Sequence, residues 1–179
     1  MNPEVRSARK NEAPKLDQLM QSYLAEFATF ESVETDATGR YVYPFLSHYW
    51  EDPNRYPFLI RVDGDIAGFA LVRFELDVGT GREALDLVEF FVLPAFRRNR
   101  VGTAAARHLF DLFPGRWHVR VLKSNKNAQP FWRQVISEYA GQNYNEQAPG
   151  TAIGGNYTFT FLSATDADIP DDLDDLIDY

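Results

Sequence analysis

The chain has no cysteine among its 179 residues. A disulfide framework, a thiolate metal site and a cysteine nucleophile are therefore excluded. Histidine is scarce: His48, His108 and His118 stand far apart, with no metal-ligand spacing, and no metal site is expected. No apolar run approaches the about 20 residues that span a bilayer. The opening Met-Asn-Pro-Glu-Val-Arg carries no signal-like apolar stretch. A soluble, cytoplasmic protein with no membrane partner is expected. Positive charge is in deficit, with a net charge of −8, but the excess acid is local. From Ser163 to Tyr179 there are seven Asp and no Lys or Arg, which leaves the rest of the chain near −1. Such a body has no nucleic-acid footprint. The motif G-x-x-x-x-G-K-(S/T) is missing, which sets aside a phosphate-loop nucleotide site.

Aromatic side chains, by contrast, are abundant: fourteen Phe, nine Tyr and three Trp. Many crowd one region, where Phe27, Phe30, Tyr41, Tyr43, Phe45, Tyr49 and Trp50 follow within a few turns of chain. That density serves either core packing or the wall of a ligand pocket, and the sequence leaves both open.

The chain is organised around Leu87 to Phe110. Leu87-Val-Glu-Phe-Phe-Val-Leu93 is an apolar, aromatic run of strand length. Pro94 ends it, because proline cannot donate to a ladder. Arg97-Arg-Asn-Arg-Val-Gly102 is a short basic loop, and Thr103 opens a helix with Ala106, Leu109, Phe110 and Phe113 on one side. Strand, basic loop and helix start together suit an anion: the first helical turn has unpaired N–H groups and partial positive charge. Gly102 has no Cβ and permits close approach, while Arg97, Arg98 and Arg100 add charge. A solvated strand-to-helix turn is the other reading.

Elsewhere the pattern is regular. Glu4–Ala8 suits a short strand. Leu16, Leu19, Met20, Tyr23, Leu24 and Phe27 recur at three and four, predicting a helix over Ala13–Phe27 with Asn11 as N-cap and Pro14 in the first turn. A short helix is expected near Pro44–Trp50. Asp63-Gly64 between Phe58–Val62 and Ile66–Phe74 signals a hairpin, and a second turn is expected at 78–82. Ala84–Leu93 pairs back, Trp117–Leu122 follows the loop helix as a parallel or splayed neighbour, and Asn127–Ile136 is a further helix with Pro130 in its first turn. Tyr139–Tyr144 and Asn156–Leu162 read as the last strands, around a Gly-rich turn at 149–155. This order predicts an α/β fold with a mixed, mainly antiparallel central sheet of six or seven strands flanked by helices.

Two motifs carry a resemblance. Val92, Pro94, Arg97 and Gly102 fall on V-x-P-x-x-(Q/R)-x-x-G-x-(G/A), and Asn125, Ala128 and Phe131 fall on N-x-x-A-x-x-(F/L)-Y. In that order, one helix and one strand apart, they resemble the GNAT superfamily of acyl-coenzyme A-dependent N-acyltransferases. There are two departures: Arg100 stands where the family has its first loop glycine, and Trp132 stands where it has tyrosine.

The length, taken with the resemblance, suits one domain over residues 1–163, and the acidic composition of 164–179 predicts a tail that is disordered or loosely docked. The resemblance implies acetyl transfer from acetyl-coenzyme A, as cosubstrate, to a primary amine of a small molecule or peptide, by a monomer or homodimer. Arg97, Arg98, Asn99, Arg100, Val101, Gly102 and Thr103 would hold the pyrophosphate. Phe91, Val92 and Leu93 would pair with the pantetheine, and Asn125, Ala128, Phe131 and Trp132 would border it. Phe27, Phe30, Tyr41 and Tyr43 would form the acceptor wall. Glu89, a carboxylate in an apolar strand, is the candidate base, with Asp86 as runner-up and an ion pair with Arg120 as the structural reading. An indole is not an acid near neutral pH, so water or the downstream phenol of Tyr139 would return a proton to the thiolate. A non-catalytic acyl-coenzyme A binding module is the rival, kept open by Arg100 and Trp132.

Overall fold

The computed structural model describes residues 3–76, 81–150 and 155–163. Seven strands form one sheet: β1 (Glu4–Ser7), β2 (Arg55–Val62), β3 (Asp65–Leu76), β4 (Glu83–Val92), β5 (Gly115–Leu122), β6 (Tyr144–Gln147) and β7 (Asn156–Ser163). Their spatial order is β1-β2-β3-β4-β5-β7-β6. Every pair is antiparallel except β4 with β5. That exception follows from the connection: helix α2 (Val101–Leu112) lies between the two strands, and a crossover returns the chain in the same direction. Helices α1 (Ala13–Phe27) and α3 (Ala128–Ala140) complete the layers.

Two cores form, one on each face of the sheet. Leu16, Leu19, Met20 and Leu24 of α1 pack with Tyr49 on Leu59, Phe69, Leu71 and Phe91. On the other face Val101, Ala105, Ala106, Leu109 and Phe110 of α2 and Trp132, Val135 and Ile136 of α3 pack on Val72, Leu85, Leu87, Trp117 and Phe159. The apolar stripes read from the sequence are these buried faces.

The Asp63-Gly64 turn closes the β2–β3 hairpin with both residues at positive φ, 52° and 89°, the conformation that favours this dipeptide. Before α1, the expected cap moves by one residue. A 3-10 turn spans Lys10–Glu12, and the Glu12 carboxylate, not Asn11, accepts the Arg9 N–H at 3.1 Å while binding Arg6 at 2.8 and 2.6 Å. The short helix before β2 is a 3-10 turn, Ser47–Trp50. The strand expected from Tyr139 is also corrected. Helix α3 continues to Ala140 and ends at Gly141, φ 63°, so the strand starts only at Tyr144. The sequence around Tyr139 keeps its 3.6-residue apolar period, with Val135 and Ile136 buried and Tyr139 partly so. Most of the turn expected at 78–82, residues 151–154 of the Gly-rich turn, and the acidic tail lie outside the described residues.

Gly68 on β3 fixes how closely β3 and β4 approach. A Cβ there would stand 2.1 Å from the Phe91 carbonyl oxygen. Gly68→Val is expected to destabilise the protein by about 1–3 kcal/mol, the usual cost of overpacking, measurable by urea unfolding. A midpoint equal to the parent's would show that β4 yields freely.

Candidate active site

The sheet opens in its middle. β4 and β5 pair only at Leu85–Trp117, Asp86–His118 and Leu87–Val119. Beyond these the strands separate, and Val88, Glu89 and Phe90, in mid-strand, are only partly covered. The β5-facing edge of β4 therefore has backbone groups with no strand partner. In an antiparallel ladder a residue's N–H and C=O point to the same neighbour and alternate along the strand. Leu93 N–H donates to Ala67 O on the β3 line at 2.8 Å, and the Phe91 carbonyl faces Gly68. The backbone groups facing the gap are consequently those of Phe90 and Val92, not those of Phe91 and Leu93 as expected.

A β-bulge aims Glu89. Opposite Leu71 and Val72 of β3 stand Glu89 and Leu87 of β4, leaving Val88 as the extra residue. Leu85 and Leu87 face α2 and α3, as do Phe90 and Val92, whereas Val88 and Phe91 face α1. The inserted residue switches the alternation, so Glu89 also points to the α1 face. There its carboxylate accepts the Tyr23 hydroxyl at 2.5 Å and the Tyr43 hydroxyl at 3.2 Å. Burial pushes the Glu89 carboxyl up to about 7, against the lowering effect of the two hydroxyls, and the nearby Asp86 charge adds to the rise. Burial, together with the Glu89 charge, raises both tyrosine hydroxyls far above their usual range, so they stay protonated and donate.

Asp86 is differently placed. It is 3% exposed and bridges Arg73 at 2.8 Å and Arg120 at 2.6 Å. Arg120 also binds Glu75 at 2.8 Å. The ion pair considered for Glu89 thus belongs to Asp86, and Glu89 is left without a cationic partner among the described residues.

Aromatic rings surround this carboxylate. Tyr23 lies 5.6 Å from Phe27 and 5.7 Å from Phe91, and Phe27 lies 4.9 Å from Phe30. Tyr43 stands edge-on to Phe45 at 6.1 Å. Gln21 holds the Tyr41 backbone through both its N–H and C=O, each at 2.9 Å. The structure therefore brings Tyr43 to Glu89, sets Phe27 beside Tyr23, and places Phe30 one ring further out. It adds Tyr23, whose helical spacing in the sequence is indistinguishable from that of a core residue.

The basic loop splits into two roles. Arg97 turns back: its Nε donates to Val92 O at 2.7 Å, its two terminal nitrogens grip Glu26 at 3.0 and 2.6 Å, and it covers the Phe91 ring. It ties the loop to α1 instead of reaching outward. Arg98 and Arg100 both take left-handed backbone, φ 66° and 59°, and are exposed, as is Asn99. Arg100 thus adopts the conformation for which glycine is suited, despite its Cβ. α2 begins at Val101, two residues earlier than expected, so Gly102 lies in its first turn. The N–H groups of Val101, Gly102 and Thr103 have no acceptor among the described residues; the first bonded one is that of Ala104, to Arg100 O at 2.9 Å. Left-handed loop residues followed by free helix N–H groups form an anion-binding concavity. An open cleft of about 420 Å³ runs from Arg100 and Thr103 along α2 past Arg107 and Asp111. Its lining includes none of the Glu89 neighbours.

Across the gap, Asn125 Oδ1 accepts the N–H of Ala128, the first residue of α3, at 3.2 Å. A Cβ on Gly102 would meet Phe131 at 3.2 Å and Phe90 at 3.7 Å, so α2, α3 and β4 converge there. Trp132 lies 5.2 Å from Phe90 and 4.9 Å from Phe131, and its indole N–H makes no bond among the described residues. Tyr139 is not part of this group. It lies in the same core as Trp132 but seven positions, about 10 Å, further along α3, where it packs on Phe110 and Phe161, and its hydroxyl donates to Asp111 at 2.8 Å. That distance from Trp132 and the bond to Asp111 argue against it as the proton donor to the thiolate.

This geometry accords with the comparisons. Residues 16–135 match the model of the Acetyltransferase (GNAT) family. The chain belongs to the GNAT acetyltransferase family. Its fold is shared with an acetyltransferase from Thermus thermophilus, at TM-score 0.65 and 15% identity over 90% of this chain and 98% of that one. Spermidine N-acetyltransferase from Vibrio cholerae, solved with CoA and spermine, aligns at TM-score 0.62 and 10% identity over 90% and 96%. The ribosomal-protein-S18-alanine N-acetyltransferase from Escherichia coli aligns at 0.56 and 16% over 96% and 98%. Identities this low show the fold alone. No curated protein matches the sequence. No helix among the described residues is long and apolar enough to cross a membrane, and none of their His, Asp and Glu side chains group as a metal site. Membership of the GNAT family implies acyltransferase activity, typically with acetyl-CoA.

Proposed function

We propose that this GNAT protein moves an acetyl group from acetyl-coenzyme A to a primary amine, with Glu89 as the general base. The observation that carries the reading is Glu89 itself: a carboxyl held at the open middle of the sheet, with its pKa pushed to about 7 and two tyrosines as its only bonded partners among the described residues. A base works best when its pKa lies near the working pH. An ammonium has no lone pair, and Glu89 takes its proton so that nitrogen becomes nucleophilic. Tyr23 and Tyr43 hold the carboxylate in one orientation.

The residues fit the cosubstrate. Acetyl-coenzyme A supplies the acetyl thioester. Val101, Gly102 and Thr103 would bind its pyrophosphate through their N–H groups, with Arg98 and Arg100 adding charge. The gap-facing backbone of Phe90 and the N–H of Val92, whose carbonyl already accepts from Arg97, would pair with the pantetheine as an added strand does. The Trp132 indole would donate to sulfur, and water returns the proton, since a thiol pKa near 8.5 already makes the thiolate a tolerable leaving group.

The test is thiol release from acetyl-coenzyme A across a library of amines. Turnover on at least one amine supports the reading; tight binding with no turnover on any favours the binding module. The phosphate loop is tested separately. Arg98→Ala and Arg100→Ala should each weaken coenzyme A binding by about 1–3 kcal/mol, the range for charge-assisted hydrogen bonds. Phosphate-free pantetheine should bind as before. Equal losses for the two ligands in calorimetry would reject the loop's role.

A further inference from the structure

We infer that the acceptor is a small monoamine with an aromatic body, not a polyamine or a peptide. This rests on the acetyltransferase reading above and concerns the surroundings of Glu89. Two aromatic sets extend from the tyrosines bonded to that carboxylate. Tyr23, Phe27 and Phe30 come from α1 and the turn after it, and Tyr43 and Phe45 come from the segment before the 3-10 turn. Among the described residues, four large apolar side chains are exposed, and two of them, Val42 at 40% and Phe45 at 52%, lie on this one segment. The exposed Phe45 ring, edge-on to the tyrosine that holds Glu89, offers apolar contact to a substrate body and a ring face to an ammonium.

The charged and amide side chains of the same wall are mostly committed, while the hydroxyls of Ser32, Thr35 and Tyr41 have no partner among the described residues. Tyr23 and Tyr43 donate to Glu89. Gln21 spends both ends of its amide on Tyr41. Glu26 is held by Arg97. Glu31 accepts the Ser124 hydroxyl at 2.5 Å across the gap from the loop after β5. Asp36 caps its own turn through Thr38 and the Arg40 N–H. Of the carboxylates from Glu26 to Phe45, only Glu34 has no partner among the described residues, and it is exposed. One solvated carboxylate contributes little to holding a cation. A polyamine needs carboxylates for its further ammonium groups, and a peptide needs partners for its amides; leaving either set unpaired costs affinity. A monoamine with an aromatic body asks only for the one proton acceptor and the rings.

The test compares kcat/KM for 2-phenylethylamine, spermidine and a short peptide with a free N-terminal Ala. The aromatic amine is expected to lead by about tenfold or more, the scale set by one well-filled apolar pocket. Phe45→Ala and Phe30→Ala should raise KM for 2-phenylethylamine more than they lower kcat, with coenzyme A affinity retained. Preference for spermidine or the peptide would overturn the inference while leaving the acetyltransferase reading intact. So would an unchanged KM in both variants. No thiol release with any amine would overturn that reading, and the inference with it.

Discussion

Glu89→Gln is expected to lower kcat by about 10²–10⁴-fold, the usual contribution of a positioned base, with acetyl-coenzyme A affinity little changed. Glutamine keeps the shape: its Oε1 can accept one tyrosine hydroxyl while its Nε2 donates to the oxygen of the other, so the loss isolates proton transfer from packing. Stability should move the other way. The folded carboxyl titrates at about 7, above its ordinary value of 4.5, because burial disfavours its charge. Such a group contributes stability that is fully present below about 4.5 and is lost as pH rises through about 7. Above that, the parent protein holds a charge that the amide does not. Glu89→Gln should therefore melt higher than the parent at pH 8, by at most about 3 kcal/mol of stability, and the gap should close toward pH 5. A variant that is both slower and less stable at pH 8 would mark Glu89 as a structural residue.

Gly102→Glu is expected to abolish coenzyme A binding. The residue lies in the first turn of α2, among the free N–H groups, and a Cβ there points at Phe131, 3.2 Å away, and at Phe90. A carboxylate on this position enters the space where α2, α3 and β4 converge and places negative charge against the phosphates. Losing two or more charge-assisted bonds at about 1.5–3 kcal/mol each removes most of the affinity. The fold should survive, because an acidic side chain in a helix's first turn is itself favourable. Calorimetry on the folded variant is the check, with Gly102→Ala expected to fall in between. Coenzyme A bound by Gly102→Glu as tightly as by the parent would place the phosphates elsewhere.

Much of this arrangement is legible in the sequence because local signals and tertiary structure agree. The three-four spacing of α1, the Asp63-Gly64 turn and the apolar run of β4 each bury the face they advertise. The parallel pairing of β5 with β4 follows from the helix that joins them. Other features have no local code. Nothing in Leu87-Val-Glu-Phe-Phe marks Val88 as a bulge, so strict alternation misassigns which backbone groups face the gap. The ring of Tyr23 has the spacing of a core residue, and only the fold brings its hydroxyl to a carboxylate 66 positions on. Sequence reading misplaces Tyr139 because the residues after Ile136 suit a strand as well as a last helical turn. Arg97, a motif position, is claimed by Glu26, 71 positions away. The count of arginines in a loop does not say which of them remain free.

The central claim is that Glu89 removes the amine's proton, and the pH dependence of kcat tests it most directly. With one saturating amine, the parent rate should rise through a midpoint near 7, as Glu89 ionises, and then level off. Without that base the reaction depends on amine that has already lost its proton, whose fraction grows about tenfold per pH unit below the amine's own pKa. Glu89→Gln should therefore start far lower and keep climbing through about pH 9 with no midpoint near 7. A Glu89→Gln profile with the parent's midpoint, plateau and rate would contradict the account.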